Sequence, residues 1–88
     1  MPVRLAPKQG PREAFLADRL KSINRELELD PRNLYNWNEK GVLLSRMGRL
    51  AEALKAYDTA VELDPGDEKA RRNRETTRRE LDEGRRGS

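Results

Sequence analysis

The chain has 88 residues, 40% of them charged and 34% hydrophobic, with a formal net charge of +3. A chain of this length supports one small domain that buries only about 60% of its unfolded surface, and its polarity excludes a transmembrane segment. It contains no Cys and no His, which removes disulfides, thiolate nucleophiles, imidazole bases and most transition-metal ligand sets.

Residues 1–11 carry Pro2, Pro7, Pro11 and Gly10, and Val3 and Leu5 have no periodic partners. Proline fixes φ and withholds a donor, so this segment reads as a flexible extended arm. It has no apolar signal-peptide core, and the expected compartment is the cytoplasm. From residue 12 the pattern changes. Leu16, Leu20, Ile23 and Leu27 recur at steps of four, three and four, with Ala14 and Phe15 widening the stripe, which predicts an amphipathic helix over 12–29.

Asp30 to Asn33 is a turn, with Asn33 placed to cap a second helix over 34–47. Leu34, Trp37, Val42 and Leu44 give that helix an apolar side. Gly41 in its middle costs about 1 kcal/mol against Ala, so the neighbouring helix should leave no room there for a β-carbon. Gly48 permits the tight geometry that ends the helix. A third helix over 50–63 carries Leu50, Ala53, Leu54, Tyr57, Ala60, Val61 and Leu63 at three- and four-residue steps. After Pro65-Gly66, Asp67 caps a fourth helix over 67–83, whose main apolar residues are Ala70 and Leu81, and a flexible tail is expected over 84–88.

Trp37, Gly41, Leu44, Gly48, Ala53, Tyr57, Ala60 and Pro65 stand at the offsets of a 34-residue pattern, and on these residues the stretch 34–67 resembles a tetratricopeptide repeat. Two positions depart from it: Lys40 replaces a Leu, so packing there should be looser, and Leu44 replaces an aromatic. Leu-Glu-Leu-Asp-Pro ending at Pro31 returns as Val-Glu-Leu-Asp-Pro ending at Pro65, one period later. The first helix is therefore in phase with the second helix of a preceding repeat. It is a degenerate half repeat, because Arg19, Ile23 and Glu26 stand where the complete repeat has Ala53, Tyr57 and Ala60. The resemblance implies an all-α fold of about four antiparallel helices, a fragment of a right-handed solenoid with a polar C-terminal cap, over residues 12–83.

It also implies an interaction module, an adaptor or scaffold rather than an enzyme. In that family, peptides lie in a concave groove lined by the first helix of each repeat. Carried over, that surface is Tyr35, Asn38, Val42, Ser45 and Arg46, continued on the last helix by Lys69, Arg72, Thr76 and Arg79. Asn38 would bond a peptide backbone, and Arg46, Arg72 and Arg79 would receive carboxylates of an acidic protein or peptide partner. Some members clamp a C-terminal carboxylate with Lys and Asn one turn apart, and Asn38 and Val42 occupy those positions.

About one and a half repeats is fewer than the roughly three that stacked repeats need, which favours self-association as a homodimer. The alternative class is a nucleic-acid accessory protein using Arg71, Arg72, Arg74, Arg78, Arg79, Arg85 and Arg86. Residues 67–88 nevertheless hold six carboxylates against eight cations, and no aromatic on which bases could stack. The 16 Asp and Glu form no calcium-loop pattern. Neither a metal, a cofactor nor a catalytic residue is expected.

Overall fold

Hydrophobic spacing and caps place four helices, and the computed structural model, which describes residues 11–87, contains α1 (Pro11–Leu29), α2 (Leu34–Arg46), α3 (Leu50–Leu63) and α4 (Glu68–Gly87). Of the arm expected over 1–11, residues 1–10 lie outside the described residues, as does the terminal Ser88, while Pro11 opens α1, where its missing N–H is no loss in the first helical turn. Turns of three or four residues make successive helices antiparallel, and α1 packs on α2, α2 on α3 and α3 on α4. No described helix is long and apolar enough to cross a membrane.

The two Asp-Pro turns are built alike. Asp30 Oδ1 accepts from the Arg32 N–H at 3.3 Å, and Asp64 Oδ1 from the Gly66 N–H at 3.1 Å. Three residues after each aspartate, Asn33 and Asp67 donate their own N–H to its carbonyl, at 3.2 and 3.0 Å. Both then cap the next helix: Asn33 Oδ1 accepts from Asn36 N–H at 3.0 Å and Asp67 Oδ1 from Lys69 N–H at 3.1 Å. The 34-residue spacing of the prolines is thus a repeat of geometry as well as of letters.

At the end of α2, Gly48 has φ +80°. Its N–H donates to the Ser45 carbonyl at 3.0 Å and the Arg49 N–H to the Leu44 carbonyl at 2.9 Å. These are the paired bonds of a Schellman stop, which satisfies orphan carbonyls and requires the left-handed residue that glycine supplies. Gly41 answers a different need. A β-carbon there would stand 2.6 Å from Tyr57 Cζ and 2.7 Å from Cδ1, so the ring of α3 occupies the space that glycine vacates.

The core joins Leu16, Leu20, Ile23 and Leu27 of α1 to Leu43, Leu44, Ala53 and Tyr57, with Trp37, Val42 and Met47 packed against it. The half repeat therefore supplies half of the central cluster. Its stripe is narrower than the sequence suggests, because Ala14 is exposed and Phe15 is 65% exposed.

The residues that make α1 a poor copy bind it to α2. Buried Asn36 donates Nδ2 to Glu26 Oε1 at 2.9 Å, and Arg19 approaches Glu39 at 3.7 Å. Burial leaves an amide costly unless it is bonded, so Glu26 is needed where a small residue was expected. Lys40 is also accommodated: its Nζ lies 5.2 Å from the centroid of Trp37, whose indole N–H donates to the Pro31 carbonyl at 2.7 Å.

Ala70 and Thr77 are the buried contacts of α4, and Arg74 reaches toward Asp58 at 3.9 Å. The helix does not stop near residue 83. It runs to Gly87, so four residues of the expected flexible tail are helical. Once nucleated, a helix adds residues at little cost, and a single glycine at Gly84 is not enough to end it.

Candidate functional site

Alternate helices of the stack leave a groove between α2 and α4 of ≈ 350 Å³, lined by Leu34, Tyr35, Asn38, Glu39, Val42, Asp67, Lys69 and Asn73. Spacing explains the α2 wall: residues 34, 35, 38, 39 and 42 fall on one side of a helix with 3.6 residues per turn. Asp67 stands at the entrance of α4 because it caps that helix. Lys69 and Asn73 follow, one turn apart.

Four of the nine expected residues, Tyr35, Asn38, Val42 and Lys69, therefore share one groove. Tyr35 is 67% exposed. Asn38 is half-buried and already engaged, since its Nδ2 donates to Asp67 Oδ2 at 3.2 Å. Its Oδ1 is buried and has no hydrogen-bond partner among the described residues. The Asn38 amide thus ties the repeat to the cap of the next helix.

Ser45 is a hydrogen-bonding neighbour of the Tyr57 hydroxyl. Burial pushes the Tyr57 phenol above its usual range; Ser45 opposes this, while Glu80 and Glu39 add to it. Carboxylates from α2 and α4 therefore lie close enough to act on the same hydroxyl.

Arg46, Arg72, Thr76 and Arg79 are exposed and do not line the groove. The phase of α4 explains two of them. Arg72 and Arg79 each stand two residues beyond a buried residue, Ala70 and Thr77, and so lie about 200° around the helix from the packed face. Arg72 lies with Glu68, Arg71, Arg74 and Glu75 on a separate surface, and Arg79 is 4.0 Å from Glu75.

Leu34, Glu39, Asp67 and Asn73 are groove residues that the carried-over pattern omits. The seven-residue spacing of Ala70 and Thr77 was the signal that would have found Asn73.

A second groove of ≈ 370 Å³ runs between α1 and α3 along the other side of α2, with Leu20, Leu44 and Ala56 in its wall together with Asn24, Trp37, Lys40, Arg49, Glu52, Lys55 and Thr59. Arg49 grips Glu52 with two bonds of 2.6 and 2.8 Å. That contact holds the Glu52 carboxyl below its usual range, aided by Lys40 and Lys55. Trp37 belongs to this groove and not to the one between α2 and α4. Among the described residues no group of His, Cys, Asp and Glu is arranged to hold a metal ion.

The tetratricopeptide repeat family pattern matches residues 35–67. A TPR repeat-containing protein of Methanocaldococcus jannaschii is 42% identical over 50 residues, a match covering 57% of this chain and 15% of that protein. Repeats of this family generally mediate protein–protein interaction. The matched span opens at the second residue of α2 and closes at Asp67, so it covers nearly all of the α2–α3 hairpin, the turn inside it and the turn that follows α3. The likeness to the tetratricopeptide repeat family thus rests on that hairpin, which matches one repeat of the pattern.

Proposed function

We propose that this chain is a protein–protein interaction module that holds an extended peptide segment of a partner in the groove between α2 and α4. The observation that carries this reading is the convergence of Tyr35, Asn38 and Val42 of α2 with Lys69 of α4 on one groove. Leu34 and Val42 offer apolar contact, while Lys69 and Asn73 offer donors to backbone carbonyls. The volume is near the small end of binding clefts, which fits a few residues of peptide and modest affinity.

The test is a titration with short peptides followed by NMR of side-chain amides. Asn38 and Asn73 should shift while Asn24 and Asn36, outside the groove, stay still. Movement of Asn24 alone would relocate binding to the groove between α1 and α3 and overturn the proposal.

Self-association is the companion reading, supported by Phe15 and Leu29, which are 65% and 84% exposed on α1. Mass in solution by light scattering, compared between the wild type and Phe15→Glu, tests it; a dimer indifferent to Phe15→Glu would exclude that end of α1. Nucleic-acid binding draws less support, because Glu68 and Glu75 are interleaved with Arg71, Arg72 and Arg74 on the exposed surface of α4.

A further inference from the structure

We infer that the groove between α2 and α4 selects a partner segment bearing a cationic side chain, lysine or arginine, in preference to an acidic one. The inference rests on reading this groove as the peptide site. Its starting point is a reversal of sign. The chain is basic overall at +3, yet the groove wall contains two carboxylates, Glu39 and Asp67, and one cation, Lys69. Arg19 touches Glu39 from α1 at 3.7 Å, with side chains 42% and 27% exposed. A pair this long and this wet neutralises Glu39 only in part.

Hydrogen-bond inventory points the same way. One N–H of the Asn38 amide, the expected donor to a peptide, is given to Asp67, while its Oδ1 is a buried acceptor without a partner among the described residues. Asp67 accepts one bond at each oxygen, from Asn38 and from the Lys69 N–H. An ionised carboxylate has about four acceptor sites, so each oxygen still has capacity. Beside the donors of Lys69 and Asn73, Glu39 and Asp67 thus present acceptors in the wall, and an ammonium or guanidinium supplies donors without any acceptor of its own. Leu34 and Val42 give the methylene stem of such a side chain an apolar bed. Tyr35, two-thirds exposed on the same wall, adds an aromatic face that attracts cations.

The arginines that would favour an acidic ligand do not contribute. Arg46, Arg72 and Arg79 lie outside the lining, and the burial of Ala70 and Thr77 is what turns the latter two away.

The test uses three fluorescein-labelled peptides of sequence Gly-Leu-Xaa-Ala-Xaa-Leu-Gly, with Lys, Gln or Glu at both variable positions, titrated into the full chain. Affinity should fall in the order Lys, Gln, Glu, with Lys about fivefold tighter than Gln, as one favourable exposed ion pair gives. The preference should shrink at about 0.5 M salt through screening. In the double variant Glu39→Gln, Asp67→Asn the Lys and Gln peptides should bind alike. Asparagine caps a helix as well as aspartate, so α4 keeps its start, and a circular dichroism melt checks this.

Should the double variant fail to fold, Glu39→Gln alone gives the same direction, since Glu39 caps no helix. Equal or tighter binding of the Glu peptide, or a Lys preference that survives neutralisation, overturns the inference while leaving peptide binding in place. If none of the three moves the Asn38 and Asn73 amides, the groove is not a peptide site and both readings fall.

Discussion

Replacing Gly41 by Ala sets two effects of opposite sign against each other. Glycine inside a helix costs about 1 kcal/mol relative to alanine, so the intrinsic effect of Gly41→Ala is stabilising. Against it, the new methyl would stand 2.6 Å from Tyr57 Cζ and 2.7 Å from Cδ1, well inside contact distance. The obstacle is a ring buried to 3% exposure, not the end of a flexible chain. Overpacking of this kind costs about 1–3 kcal/mol, and a rigid ring belongs near the upper figure. The net expectation is destabilisation by about 2 kcal/mol. At roughly 4–8 °C for each kcal/mol in a domain of this size, the melting temperature should fall by roughly 8–16 °C.

Thermal melts by circular dichroism provide the assay, and a second background isolates the cause. In Tyr57→Leu the ring is gone, and Gly41→Ala there should recover the helix propensity and stabilise by about 1 kcal/mol. A melting temperature that rises on Gly41→Ala in the wild-type background would refute the contact, and with it the packing of α2 on α3 through Tyr57.

The other glycines separate conformation from space. Gly84→Ala should stabilise by about 1 kcal/mol in chemical denaturation, because a β-carbon there meets nothing within 4 Å and the site is helical. Gly48→Ala meets nothing within 4 Å either, yet at φ +80° it should destabilise by about 1–2 kcal/mol. Equal effects of the two would contradict the Schellman stop.

Tyr57 predicts an alkaline limit. Its pKa is raised from 10.0 chiefly by burial, so below pH 10 both states keep the proton and its stabilisation is intact. As the pH rises further the unfolded chain releases the proton first and stability falls. Tyr57→Phe should flatten that decline in melts across pH 9 to 11 by removing its titrating group. An undiminished slope would show that Tyr57 is not the group responsible.

Finally, Asn38→Ala should cost about 1 kcal/mol through its lost bond to Asp67. It should also raise hydrogen exchange in the first turn of α4 more than in α1. Uniform exchange would mean the tie does not hold the cap.

Much of the architecture was legible in the residues because it depends on local spacing. The steps from Leu16 to Leu27 specify the buried stripe of α1. Asn33, Gly48 and Asp67 stop or start helices through their own backbone and side-chain chemistry, and these three positions mark element ends in the folded chain. Gly41 was readable too, since an interior glycine is costly without a close neighbour. Phe15 misled because propensity and periodicity describe one helix at a time. Whether a flanking apolar residue is covered depends on the breadth of the helix laid against it.

The groove illustrates the same division. Membership of Tyr35, Asn38 and Val42 followed from the family offsets on α2, a helix with enough apolar residues to orient itself. Helix α4 has too few. Its azimuth is determined by the contact of Ala70 and Thr77 with α3, and that contact turns Arg72 and Arg79 outward and brings Asn73 to the wall.

The sequence by itself determined four helices, their caps, their 34-residue register and the hairpin at the centre, all consequences of backbone geometry and short-range hydrogen bonds. Only the tertiary structure decided the sign of the groove. Glu39 and Asp67 are far apart in the chain, and they line one groove only when α3 packs between α2 and α4. Charge at a site is a sum over neighbours in space, and a chain with a net +3 can still fold around an acidic cleft.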